Sequence, residues 1–200
     1  MVETIDNQKY WNARYRSGNP KGSGKGSRGR EAEIKREAVS SLLANGGIRS
    51  VLDIGCGDCE ILEGVDLDGI EYVGTDISDA IVRRNARRWP DRTFHYTNFN
   101  RAVATLGDRT FDLVMCVDVL IHQPDLQRYL AGVKLVHRMA GRFVLLCGYQ
   151  KEPEQHYVRD DVQTTFFWEP LTESFRDFEP TTVGRIHNQH LMTGRRDTTE

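Results

Sequence analysis

Residues 51–58 read VLDIGCGD, an apolar run that breaks into two glycines one residue apart. Glycine has no Cβ and tolerates positive φ, so a strand ending in Gly55 and Gly57 lets the main chain come close to a ligand. A second run, Glu71-Tyr72-Val73-Gly74-Thr75-Asp76, ends in an acid about 20 residues further on. At the tip of a neighbouring strand, such an acid can accept hydrogen bonds from ribose hydroxyls. The two runs together predict a nucleoside-binding βαβ unit.

The missing residues indicate which nucleoside. A dinucleotide site carries a third glycine in Gly-x-Gly-x-x-Gly and offers a helix N-terminus to the pyrophosphate. Glu60 holds that third position here, with Asp58 close by. Two carboxylates would repel a pyrophosphate. They would suit a nucleoside with positive charge and no phosphate, and S-adenosylmethionine, with its sulfonium and α-ammonium groups, is such a ligand.

VLDIGCGDCEIL, YVGTDIS and FDLVMCVDVLIHQPD, in that order over residues 50–125, resemble the first, second and fourth motifs of class I S-adenosylmethionine-dependent methyltransferases. Where a third glycine often stands in the first motif, this chain has Cys59. The opening YWNARYRSG and GSGKGSRGREAEIK resemble more narrowly a group of small bacterial methyltransferases associated with saccharide methylation. The resemblance implies a Rossmann-like α/β fold. Its sheet would be mainly parallel and seven-stranded, with helices on both faces and an antiparallel edge strand.

The chain's 200 residues fit one domain with a full core. Hydrophobic content of 38% and charged content of 28% fit a soluble globular chain. A formal net charge of −2 gives no reason to expect a nucleic-acid partner held by bulk electrostatics. No apolar stretch approaches a membrane span and MVETIDNQKYWN has no signal-peptide core, so the expectation is a cytoplasmic protein without a membrane partner. Cys56 and Cys59 form a Cys-x-x-Cys, but no second pair completes a structural zinc site. Cys116 and Cys147 lie in apolar runs and read as small buried hydrophobes.

Residues 1–29 read as an N-terminal arm and 30–200 as the methyltransferase domain. SGNPKGSGKGSRGR, residues 17–30, has the composition of a flexible loop, either a linker or a lid. GKGSRG within it matches Gly-x-Gly-x-x-Gly, but no apolar strand precedes it. A helix is predicted over 30–45, where Ile34, Ala38, Val39, Leu42 and Leu43 recur at helical spacing. Strands follow near 50–55, 71–76, 92–97 and 111–117, with a short helix near 59–64 and a longer one near 78–88. Pro124 opens a helix to about residue 139, then comes a strand from Phe143 to Cys147. Residues 181–192 read as one closing strand.

Ligands of open α/β sheets sit beyond the carboxyl ends of the strands, where all these motif residues fall. Gly55 and Gly57 would pass under the cofactor and Asp76 would take its ribose, with a helix N-cap as the structural reading of Asp76. Asp53 would order the glycine loop. The resemblance places Asn98 against the adenine amine, and Ile77 and Phe99 are further candidate cofactor contacts. Trp11 or Arg30 would reach the cofactor from the arm.

An alcohol acceptor must lose its proton, and an imidazole is a usual agent. Asp118 and His122 stand four residues apart, so a helical turn would place both on one side. His122 is the candidate base, with Asp118 as its orienting partner or a cofactor contact; a structural role for His122 is the competing reading. The same pair could hold a divalent cation, but Ile121 stands where related acid-x-x-acid-His sites carry an acid, so a metal is not favoured. Tyr149, His156, Tyr157 and Arg159 follow the fifth strand and suit a hydroxyl-rich or anionic acceptor, or else a solvated loop. These residues point to O-methylation of a small hydroxyl acceptor, a sugar or oligosaccharide. The alternatives are N- or C-methylation in natural-product metabolism and a cofactor-binding module without transfer activity.

Overall fold

The structure is a computed structural model that describes residues 6–18, 22–149, 157–159, 162–164, 174–186 and 189–196. Chain order runs α1 (Asn7–Arg16), α2 (Gly29–Gly46), β1 (Ser50–Ile54), β2 (Glu71–Asp76), α3 (Asp79–Arg88), β3 (Thr93–Tyr96), α4 (Ala102–Leu106), β4 (Phe111–Cys116), α5 (Leu126–Met139) and β5 (Ala140–Tyr149). A short ladder of β6 (Tyr157–Arg159) with β7 (Val162–Thr164) precedes the hairpin of β8 (Phe178–Ile186) and β9 (Gln189–Arg196). Single 3₁₀ turns occupy Lys25–Ser27, Glu60–Leu62 and Leu120–His122.

Seven strands form one sheet in the order β3-β2-β1-β4-β5-β9-β8. The first five are parallel, and β9 runs antiparallel to both β5 and β8. The tail is therefore a hairpin and not one closing strand, and its second strand enters the sheet inside its first.

Alternate residues of the central strands face opposite layers, as period-two geometry requires. Leu52, Ile54, Val114, Cys116, Val144 and Leu146 join one core with Tyr129, Val133, Val136 and Met139 of α5. Val51, Leu113, Met115, Leu145 and Cys147 join the other with Ala38 and Val39 of α2. Each fully buried Leu or Val contributes about 1.5–3 kcal/mol. A sheet covered on both faces explains why its strands read as unbroken apolar runs.

Local chemistry sets the helix ends. Ser78 caps α3 by accepting from the Ile81 N–H. Asp125, and not Pro124, caps α5 by accepting from the Arg128 N–H at 2.8 Å. The expected helix near 59–64 is only the 3₁₀ turn Glu60–Leu62. The arm holds a helix that the sequence reading did not anticipate. Trp11 and Tyr15 of α1 pack against Ile81 and Val82 of α3, which seats the arm on the domain.

Candidate functional site

A cavity of about 560 Å³ opens at the carboxyl ends of β1, β2 and β4, a size suited to a small-molecule ligand. Gly55 and Gly57 have φ of +75° and +51°, the left-handed backbone that favours glycine. A Cβ on Gly55 would fall 2.3 Å from Val119 Cγ2, and one on Gly57 would fall 2.2 Å from Ser23 Oγ. Cys59, at φ +57°, also takes a left-handed backbone, which explains why a glycine is at home there. Its buried thiol accepts from Asn85 Nδ2 at 3.4 Å, and the same amide donates to the Gly57 carbonyl at 2.7 Å.

Asp76 ends β2 on the cavity wall. Its Oδ2 accepts from the Gly57 N–H at 3.1 Å and its Oδ1 from the Ser78 N–H at 2.8 Å. Ser78 is the helix cap, so Asp76 is free of the capping role and instead fixes the glycine loop. Burial pushes its pKa up to about 6, against the pull of the N–H bonds from Ser78, Gly57 and Ile77. Asp53 lies beneath the loop, where its Oδ2 accepts from the Tyr72 hydroxyl at 2.8 Å. Burial raises it to about 7; the Tyr72 bond opposes the rise and the Asp76 charge adds to it.

A raised native pKa reverses the familiar acid-denaturation sign. Folded Asp53 holds its proton more tightly than the unfolded chain, so its contribution to stability falls as pH rises from 3.8 towards about 7. Asp53→Asn keeps the Tyr72 bond without the charge. Urea unfolding should show the variant gaining on the wild type between about pH 4 and about pH 8. A constant difference would mean that Asp53 does not titrate in this window.

Asp58 and Glu60 are not open to a cationic ligand in the way their sequence positions suggest. Arg28 donates to Asp58 Oδ2 at 2.5 Å and lies 3.6 Å from Glu60 Oε2. Ser23 adds its N–H at 3.2 Å and its hydroxyl at 2.7 Å to Asp58. Burial works to raise the Asp58 pKa, but the bonds from Arg28 and Ser23 outweigh it and hold the carboxyl below its usual range.

These contacts bring the arm over the glycine loop. Asn7, Gln8, Trp11 and Tyr15 of α1 line the cavity. The Trp11 ring lies 5.7 Å from the His122 ring, and Asn7 Nδ2 donates to the His122 carbonyl at 2.6 Å. Arg30 is exposed and absent from the cavity wall; the arginine that engages the loop is Arg28, two residues earlier.

Ile77, Asn98 and Phe99 all line the cavity. Asn98 Oδ1 already accepts from the Asn100 and Arg101 N–H groups, each at 3.1 Å. The carboxamide oxygen of Asn98 is therefore already engaged by the main chain.

Asp118 and His122 line the same cavity but not on one α-helical turn. Asp118 has φ +59° and the 3₁₀ turn starts only at Leu120. Asp118 Oδ2 pairs with the ammonium of Lys35 on α2, a partner that sequence reading missed. Among the described residues no three His, Cys, Asp or Glu side chains gather as metal ligands. His156 lies outside the described residues. Tyr149 ends β5, Tyr157 opens β6 and Arg159 closes it, and the side chains of these three are likewise outside the description.

Residues 52–143 match the family model described as a methyltransferase domain. A ubiquinone biosynthesis O-methyltransferase from Coxiella burnetii is 26% identical over 96 residues, which cover 47% of this chain and 41% of that one. The chain thus spans less than half the length of this curated relative. Magnesium protoporphyrin IX methyltransferase from Synechocystis PCC 6803, solved with bound S-adenosylhomocysteine, superposes with a TM-score of 0.68 at 18% identity over 95% of this chain and 97% of that one. The sugar N-methyltransferase KedS8 from Streptoalloteichus superposes with a TM-score of 0.64 at 18% identity over 84% and 89%. Residues 52–143 are thus similar to a methyltransferase domain, and the chain has the fold of these solved methyltransferases. The chemistry of this cavity fits S-adenosylmethionine, because two glycines clear its floor and a buried, oriented carboxylate, Asp76, stands on its wall.

Proposed function

We propose that this protein methylates a hydroxyl of a small acceptor, with a sugar or oligosaccharide as the favoured class, and that His122 removes the hydroxyl proton. The observation that carries this reading is an imidazole on the wall of the cofactor cavity, 5.7 Å from the Trp11 ring. The surrounding wall adds the carboxamides of Asn7, Gln8, Asn98, Asn100 and Gln123. Carboxamides both donate and accept, as vicinal hydroxyls require, and an indole offers a flat apolar face to a sugar ring. One relative is named for transfer to oxygen, and one structural neighbour is named as a sugar N-methyltransferase.

S-adenosylmethionine supplies an electrophilic methyl on a sulfonium sulfur. In this reading the residues of the chain do the rest. Gly55 and Gly57 let the backbone pass under the nucleoside and Asp76 fixes its ribose. Trp11 and the arm exclude water, while His122 holds the acceptor oxygen and takes its proton. No helix of the described residues is long and apolar enough to cross a membrane.

The direct test is S-adenosylhomocysteine release across a panel of neutral saccharides, amino sugars and hydroxylated aromatics. Turnover of neutral saccharides is expected. Turnover of amino sugars alone would move the reaction to nitrogen, and binding without turnover of any acceptor would favour a cofactor-binding module.

Calorimetry should also show binding of S-adenosylhomocysteine and none of NAD. Arg28 compensates Asp58 and Glu60, so charge alone does not exclude a pyrophosphate. The geometry does: a 3₁₀ turn of three residues follows the glycines where a dinucleotide fold places a helix N-terminus. Tight NAD binding would overturn this reading of the loop.

A further inference from the structure

Lys35 lies among the apolar residues of α2, one residue from Ile34 and three and four from Ala38 and Val39. It is fully buried, at 0% exposure. An ammonium in such a place must be paired, because burying an unpaired charge is strongly unfavourable. Lys35 Nζ donates to the Gly26 carbonyl at 2.5 Å and to Asp118 Oδ2. One buried cation thus joins three segments: the arm, α2 and the turn after β4.

Gly26 is shaped for this junction. A Cβ there would lie 2.5 Å from Asp118 Oδ2 and 3.3 Å from Lys35 Nζ, so only glycine lets the arm backbone rest on the ion pair. On the other side, Asp118 holds the left-handed corner from which the turn to His122 departs. The arm meets that turn a second time through Asn7 and the His122 carbonyl. Release of Lys35 would therefore loosen the arm and the His122 wall together.

We propose that Lys35 is a positioning residue whose buried ammonium, bonded to both Gly26 and Asp118, couples the seating of the N-terminal arm to the placement of the wall that carries His122. The inference needs the arm and that wall to enclose the cofactor cavity, and it does not depend on the acceptor being a sugar. It makes Lys35 a determinant of cofactor retention without any contact to the cofactor.

The test uses the full chain and two variants. Lys35→Met/Asp118→Asn removes both charges, keeps the shape of the pair and places at φ +59° a residue that tolerates it. Gly26→Ala keeps both charges and sets a methyl against Asp118 Oδ2, which forces the arm backbone and the ion pair apart. Trypsin cleavage after exposed Lys25 reports arm seating, calorimetry reports S-adenosylhomocysteine affinity, and melting reports the fold. Both variants are expected to be cleaved after Lys25 at least about tenfold faster and to bind S-adenosylhomocysteine at least about tenfold more weakly. Gly26→Ala should do so at an unchanged melting temperature. Wild-type protection and affinity in Gly26→Ala, or in a double variant that melts like the wild type, would overturn the proposal and leave Lys35 a mere counter-charge for Asp118. If the wild type itself binds no S-adenosylhomocysteine, the cofactor reading fails on its own, while the cleavage assay still judges the arm.

Discussion

Replacing His122 with alanine is expected to lower turnover by roughly 10²–10⁴-fold while leaving cofactor affinity almost unchanged. The imidazole would face the acceptor oxygen, so its loss removes proton abstraction and spares the nucleoside contacts. Only the neutral ring can act as a base. The Asn7 bond to the His122 carbonyl involves the main chain and survives the substitution. A metal role would show instead as loss of activity on chelation and recovery with a divalent cation. A structural role would lower the melting temperature without changing turnover per folded molecule. Turnover, chelator response and melting on one preparation separate the three.

Asp76→Ala should weaken cofactor binding by about 2–3 kcal/mol, roughly 30–150-fold, through the loss of charge-assisted bonds to the ribose. The structure adds a second cause, since the same carboxylate accepts from the Gly57 and Ser78 N–H groups. Loss of Asp76 would free the loop as well as a ribose bound there. With its pKa pushed up to about 6, Asp76 takes up a proton as pH falls through that value. Cofactor affinity of the wild type should fall in step, and Asp76→Ala should lack this dependence. Unchanged affinity in a well-folded Asp76→Ala protein would show that cofactor binding depends on neither the ribose bonds nor the loop contacts of Asp76.

The central sheet was legible in the sequence because burial on both faces writes each strand as an apolar run. Strands expected at 50–55, 71–76, 92–97 and 111–117 are found at Ser50–Ile54, Glu71–Asp76, Thr93–Tyr96 and Phe111–Cys116. The glycine loop was legible because Gly55 and Gly57 have a conformational signature of their own. The arm was not. Helix α1 buries Tyr15 in a segment of aromatic and basic side chains that shows no apolar stripe. Arg28 and Arg30 cannot be told apart without knowing where α2 begins, and that boundary decides which guanidinium meets Asp58. Lys35 reads as a solvated helix charge because its counter-charge lies 83 residues away. The expected Asp118–His122 partnership assumed a local turn, whereas a left-handed corner and a distant lysine claim Asp118.

The position of β9 between β5 and β8 bears on how the chain is made. Ribosomal synthesis delivers Ala140–Tyr149 well before Gln189–Arg196, and β8 has no place in the main sheet until β9 is paired. At about 5–20 residues per second, the outer edge of β5 waits roughly 2–9 s for its partner. That edge carries Phe143, Val144, Leu145, Leu146 and Cys147, an apolar segment with the character that drives strand-to-strand aggregation. Nascent chains stalled between residues 150 and 188 should therefore recruit chaperones that bind exposed strands, and should shed them once β9 has been made.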